Sequence, residues 1–192
     1  MAAEQARRSA LERREREDAA AVVPEEEVEQ TIAQAADAVV EDQMKPGRWR
    51  DRFIFALNTS LHVLHPHRVA LRALGPVLVG DPDDGVFAAG SAFSRQRVQQ
   101  VFEETVTGAS DAPKAPLAEA LGRLLYLVHL AVLLWWLLGK SPKQRATAAL
   151  IRLTEQLLPS AALTLRLPPV RRFVIRVDEL IREALTGSPV QA

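Results

Sequence analysis

The chain has 192 residues, of which 48% are hydrophobic and 25% charged, and its 24 Lys and Arg residues balance 24 Asp and Glu residues. This composition is ordinary for a soluble globular protein, and the balanced charge gives no sign of a nucleic-acid partner. The absence of cysteine excludes disulfides, thiolate catalysis and cysteine-based zinc sites. The N-terminus, MAAEQARRSALERRERED, is charged throughout and lacks the apolar segment of a secretory signal, so we expect a cytoplasmic protein.

The order of apolar and polar residues predicts an all-α fold, because strand-like alternation is nearly absent and helix-forming residues dominate. Residues 2–21 predict a charged helix with little apolar stripe. A second helix opens at Pro24, where three consecutive glutamates complement the helix dipole, and it stops at residues 45–47. We therefore assign residues 1–47 to a charged N-terminal helical arm.

The third predicted helix, residues 48–64, carries an apolar stripe on one face. The stripe consists of Trp49, Phe53, Leu57, Leu61 and Leu64. HPH at 65–67 interrupts the chain before a short helix over 67–79, and GDPDDG at 80–85 predicts a loop. A fifth helix is predicted from 87 to 106. Its inward residues are Val98, Val101, Phe102 and Val106.

The rest of the chain predicts three further helices, at 117–138, 142–163 and 170–185. Ser141 suits the N-cap of the middle helix, and Gln144 suits the third helical position of a capping box. A Pro–Pro pair just before the last helix is expected to break the chain. Together with the preceding helices, these segments predict a helical bundle.

The helix at 117–138 is the most apolar element of the chain. Its charge-free run extends from Leu124 to Leu138 and is bounded by Arg123 and Lys140. A membrane-spanning helix needs about 20 largely apolar residues, and this run is shorter and contains His129. We therefore expect no membrane span but a helix covered by protein on both sides.

A small bundle covers only one side of such a helix, so we expect the other side to meet a second copy of the chain. The following helix supports this interpretation, because alanines near its start permit close approach. The alternative is a monomeric bundle with an unusually apolar central helix. The candidate interface residues are Val132, Trp135, Trp136, Ala146, Ala149, Leu150, Leu153 and Leu157.

The helix order resembles the C-terminal domain of tetracycline-repressor (TetR) family regulators. The stretches that carry the resemblance are HPHRVALRALGPVLVGDPDDGV, SAFSRQRVQQVFEETVTGA, LAEALGRLLYLVHLAVLLWWLLGKSPKQRATAALIRLTEQLLP and PPVRRFVIRVDELIREAL. The resemblance implies a ligand-binding and dimerisation domain over residues 48–187, followed by a tail at 188–192. It also implies paired dimerisation helices in the third of these stretches.

Residues 1–47 depart from the family pattern, which begins with a helix-turn-helix. They contain no glycine before Gly47, no tyrosine, and 6 Lys or Arg against 12 Asp or Glu. An acidic segment is a poor partner for phosphate, so we expect this chain not to bind nucleic acid directly. The sequence thus predicts a regulatory, ligand-sensing dimer without its own DNA-binding head. Two alternatives stay open: an interaction protein that pairs with a full-length regulator through residues 117–163, and a regulator whose coding region begins upstream of Met1.

His129 is the one polar side chain in the middle of the apolar helix. A buried histidine needs a partner, and either a bound small apolar ligand or the protein core could supply one. If a ligand does, the candidate binding residues are Phe53, Asn58, His62, Tyr126, His129 and Leu133.

Other arrangements predict no further chemistry. His62, His65 and His67 lie close together, but no nearby carboxylate or cysteine completes a familiar metal-binding spacing, and histidines at a helix end are explained by the helix dipole. DPDD at 81–84 lacks the full ligand spacing of a calcium loop. No Ser/His/Asp order or glycine-rich phosphate loop stands out, so we expect no enzymatic activity, no metal and no cofactor.

Overall fold

The computed structural model describes residues 46–72 and 92–186, together with positions 30, 31, 33, 34 and 37. Among these residues the chain is helical and contains no strand, which confirms the all-α prediction. The five long helices are α1 (Trp49–Leu64), α2 (Ala92–Thr107), α3 (Leu117–Leu138), α4 (Arg145–Thr164) and α5 (Pro168–Thr186). The arm at residues 1–47, the loop at 80–85 and the tail at 188–192 fall largely or wholly outside the described residues.

The predicted boundaries of α1 and α3 agree with the structure within one residue. The short helix after HPH is helical over 68–72, and its predicted continuation lies outside the described residues. The Pro–Pro pair does not break the chain. Pro168 and Pro169 instead form the first turn of α5, where a missing N–H costs no hydrogen bond, and the break falls at 165–167.

The core forms where the apolar faces of α1, α2 and α3 meet. All five residues of the predicted α1 stripe are buried, with Phe53 and Leu57 fully enclosed. From α2 the core receives Val101, Phe102 and Val106, each at most 3% exposed. α3 lies at the centre of the bundle and also contacts α4 and α5.

The backbones of α2 and α3 approach each other most closely at Gly122. A Cβ atom at this position would lie 2.6 Å from Cα of Glu103, closer than real side chains approach a backbone. Glycine is therefore required here by the packing of α2 against α3 rather than by an unusual backbone angle. It fixes the register in which the two helices cross.

The carbonyl end of α3 is capped by an arginine from the segment after α1. Nη2 of Arg68 donates to the carbonyl oxygens of Trp136 at 3.0 Å, Leu137 at 3.3 Å and Gly139 at 3.0 Å. Its guanidinium also stacks over the indole of Trp136, 5.5 Å from the ring centre. A cation at a helix C-terminus satisfies free carbonyls and opposes the negative end of the helix dipole.

The predicted capping box at the start of α4 does not form. Residues 142–144 make a 3-10 turn, and Lys143 and Gln144 adopt left-handed backbone angles, with φ of 51° and 56°. Ser141 Oγ accepts a hydrogen bond from the backbone N–H of Ala146 at 3.1 Å instead of capping Gln144. The hydrogen-bonding network places the side-chain oxygen of Gln144 against Arg68 at 3.0 Å, so this side chain joins the cap of α3.

By length and composition alone α3 could cross a bilayer, and no other described helix meets that test. Half of its residues, including His129, are buried against the other helices. A membrane span offers its side chains mostly to lipid, whereas half of the residues of α3 are buried within the protein. This is how the central helix of a bundle packs, and it agrees with the expectation of no membrane span.

Candidate ligand site and association surface

His129 lies in the core between α1, α2 and α3 and is 3% exposed. Its Nε2 is 2.9 Å from Oγ of Ser60, which is 6% exposed and lies on the apolar face of α1. This face also carries Leu57 one turn earlier and Phe53 two turns earlier, so the serine is a polar position within an otherwise apolar stripe. The imidazole is therefore held from α1 by one hydrogen bond.

One aromatic ring packs against the imidazole, and two further rings pack against that one. The ring of Phe102 lies 4.7 Å from that of His129, with an interplanar angle of 32°. Phe102 also packs against Tyr126 at 6.4 Å and against Phe53 at 5.9 Å. Three helices thus enclose a cluster of aromatic rings with the histidine in it.

Nδ1 of His129 is buried and has no hydrogen-bond partner among the residues that the structure describes. Burial lowers the pKa of His129 to about 4, so the imidazole is neutral at pH 7. A neutral imidazole offers one donor and one acceptor, and Ser60 occupies only one of them. The remaining nitrogen can donate to or accept from a single polar group, depending on the tautomer.

A Ser–His hydrogen bond is also the first half of a nucleophile–base pair. A catalytic pair needs a third group that orients the imidazole through its other nitrogen, and no described residue does so at Nδ1 of His129. Both side chains are enclosed, so any molecule that reaches them, whether a substrate or a ligand, must open the core. The geometry fits recognition of a polar group better than attack on one.

The predicted ligand residues separate into two sets. The structure brings together Phe53, Tyr126 and His129, and Leu133 is half-buried on the same helix as the histidine. Asn58 and His62 are exposed on the opposite side of α1, and Asn58 donates to the carbonyl oxygen of Ile54 within its own helix. Sequence reasoning missed Ser60 and Phe102 as neighbours of the imidazole, although both are apolar-face positions of their helices.

The structure also divides the candidate interface residues into buried and exposed ones. Val132 and Trp136 are each 3% exposed within one chain, so they are not available to a partner. Leu150 is half-buried against the core, as is Ala146 at the start of α4. The exposed members are Trp135, Ala149, Leu153 and Leu157.

These exposed residues belong to an apolar stripe on each of two consecutive helices. On α3 the stripe runs through Val128, Ala131, Trp135 and Leu138, at alternating spacings of three and four residues. On α4 it runs through Ala149, Leu153 and Leu157, of which the leucines are 55% and 66% exposed. This spacing places each set along one face of its helix, as in helices that pack against a partner.

No protein-family model matches the chain, and no curated protein matches it. The resemblance to TetR-family effector domains therefore rests on residue pattern and helix order, and it stays a prediction.

Proposed function

We propose that the chain is a dimerising, ligand-sensing regulatory domain similar to the effector domains of TetR-family regulators. Its ligand is a small, mostly apolar molecule with one hydrogen-bonding group. The observation that carries the proposal is the free Nδ1 of His129 among the aromatic rings of Phe53, Phe102 and Tyr126. A buried polar atom without a partner costs about 1–3 kcal/mol, and a ligand that supplies the partner recovers it.

A matched pair of probes tests the ligand site. 1-Naphthol has an apolar body with one hydroxyl, and naphthalene has the same body without it. We expect 1-naphthol to raise the melting temperature of the protein more than naphthalene does, because a ligand that binds the folded state stabilises it. The ¹⁵N resonance of His129 Nδ1 should shift on binding of 1-naphthol only.

The double variant Ser60→Ala, His129→Leu is the control, because it removes both members of the hydrogen bond and leaves neither unpaired. It should lose the preference for the hydroxyl while still binding either probe weakly. If the double variant keeps the preference, or if neither probe stabilises the wild type, the ligand site is not at His129.

The stripes on α3 and α4 support the dimer. An interface between two copies would cover Trp135 on one helix and Leu153 and Leu157 on the next. Left exposed, apolar stripes of this kind promote aggregation. The same stripes would serve the alternative function, in which the chain pairs with a full-length regulator. In that case the isolated chain is a monomer.

Light scattering at tens of micromolar protein separates these outcomes. We expect a dimer for the wild type and a monomer for Leu157→Glu, because the charge would be buried in the interface without a partner. Ala148→Glu is a matched control, since it adds the same charge to another exposed face of α4. A monodisperse wild-type monomer would exclude the homodimer.

A further inference from the structure

A cleft of about 550 Å³ opens at the end of the bundle where α3 begins. Its walls come from the start of α1, the connection between α2 and α3, the end of α4 and the turn into α5. The volume lies in the range of small-molecule sites. Leu117 lines the cleft and precedes His129 by more than three helical turns, about 18 Å along α3, so the two sites are separate.

The floor of the cleft is apolar. Trp49 and Leu117 both line it and are 4% and 6% exposed, so their inner faces already belong to the core. Leu163 lines the rim and is 63% exposed. A ligand with an apolar body would cover this rim and extend the core surface outward.

Four arginines line the same cleft: Arg48, Arg50, Arg166 and Arg171. Within the described part of the chain none of them forms an ion pair with a carboxylate. The one carboxylate in the lining, Asp111, accepts a hydrogen bond from the backbone N–H of Trp49 at 2.8 Å. The cleft therefore has a net positive charge that the described residues do not neutralise with ion pairs.

We propose that this cleft binds a small amphiphilic anion. Its oxyanion head lies among the arginines, and its apolar body covers the exposed side chain of Leu163 and the small exposed parts of Trp49 and Leu117. A guanidinium offers paired donors that match the two oxygens of a carboxylate or phosphate. A simple inorganic anion would leave the apolar surface of the cleft uncovered. A neutral apolar molecule would leave the arginines without a negative partner. The combination of the two surfaces selects a molecule that has both.

Titration calorimetry on the full chain tests the proposal with ligands that share one alkyl chain. Octanoate and octyl phosphate carry the two alternative heads, octanol lacks a charge, and acetate lacks the apolar body. We expect octanoate or octyl phosphate to bind at least about tenfold more tightly than octanol and acetate, and the stronger of the two identifies the head group. Raising the salt from about 0.05 M to about 0.5 M should weaken the anion but not octanol.

Arg50→Gln and Arg166→Gln should each weaken binding of the preferred anion about fivefold, as expected for a partly exposed charge pair. Arg172→Gln is the matched control. It removes a neighbouring positive charge from α5 but does not line the cleft, and it should change binding little. His129→Leu should also leave this binding unchanged, which separates this site from the proposed ligand site. Equal binding of octanol and octanoate, or equal effects of Arg166→Gln and Arg172→Gln in folded proteins, would overturn the inference.

Discussion

Arg123 and Asp178 join α3 to α5 through two parallel hydrogen bonds. Nε of Arg123 donates to Oδ1 of Asp178 at 2.8 Å, and Nη2 donates to Oδ2 at 2.7 Å. The side chain of Asp178 is 5% exposed, and Glu103 of α2 approaches Nη1 of the same arginine at 3.7 Å. The hydrogen bond to Asp178, followed by the nearby carboxylate charges, raises the pKa of Arg123 despite its partial burial. One guanidinium thus connects three helices.

Substitution of Asp178 by Ala should lower the free energy of unfolding by about 3 kcal/mol, because it removes both short hydrogen bonds and leaves the partly buried guanidinium with only the longer ion pair to Glu103. Chemical denaturation followed by circular dichroism measures the change. Arg176→Ala is the control on the same helix. It breaks an exposed pair with Glu179, in which the arginine side chain is 72% exposed, and should cost less than about 1 kcal/mol. Equal losses of unfolding free energy in the two variants would mean that the Arg123–Asp178 pair stabilises the protein no more than an exposed ion pair does.

His129 should make the stability of the protein depend on pH. Burial lowers its pKa from 6.5 to about 4, so the unfolded chain binds the proton more tightly than the folded chain does. The contribution of neutral His129 to the free energy of unfolding is complete above pH 6.5 and is lost as the pH falls toward 4. Between about pH 7 and about pH 5 the loss is about 2 kcal/mol.

The variant His129→Leu cannot titrate at this position, so its loss of stability between the same two pH values should be smaller by about 2 kcal/mol. Urea denaturation of the wild type and of the variant at each pH gives the free energies of unfolding from which the two losses are calculated. An identical pH dependence in the two proteins would show that His129 is accessible to protons in the folded state.

Gly122→Ala should destabilise the bundle by about 2 kcal/mol although alanine is the better helix former. The new Cβ would meet the backbone of Glu103, which cannot move aside as the end of a flexible side chain can. Ala148→Gly, at an exposed position of α4 outside its apolar stripe, measures the helix propensity alone and should cost about 1 kcal/mol. Thermal unfolding compares the two. A stabilised Gly122→Ala would contradict the close approach of α2 and α3.

The cap of α3 predicts a graded series at Arg68. Lysine keeps the charge but cannot reach several carbonyls at once, and methionine keeps only the stem, so stability should fall from arginine to lysine to methionine. We expect a total loss of about 2 kcal/mol, measured by denaturation. Arg72→Met, at an exposed position one turn further along, should have little effect. If lysine restores the full stability, the charge alone forms the cap.

Much of the fold could be predicted from the sequence, because helices with one apolar face repeat their apolar residues at a fixed period. The stripe of α1, for example, contains Phe53 and Leu57, and both are fully buried. The same geometry separates the candidate ligand residues on α1. Asn58 and His62 each follow a stripe residue by one position, which turns them away from the core, whereas Ser60 lies within the stripe.

Other features depend on contacts between distant parts of the chain, which periodicity does not encode. Arg68 reaches carbonyls 68 to 71 residues further along, and nothing in its local sequence distinguishes it from Arg72. The prediction for the start of α4 was wrong for a related reason. Ser141 and Gln144 fit a capping box in sequence. In the structure the side chain of Gln144 lies against Arg68, and the backbone of Lys143 and Gln144 is left-handed.

The tight seam at Gly122 also has a mechanical consequence. Because the two backbones approach so closely at Gly122, α2 and α3 cannot slide or roll along each other without a steric clash. The two helices therefore form one rigid unit. α3 alone is about 33 Å long, with the arginine cleft at one end and the Arg68 cap at the other. A displacement of α3 at either end should therefore move α2 and α3 together. Hinges that absorb such a movement must lie outside the contact between these two helices.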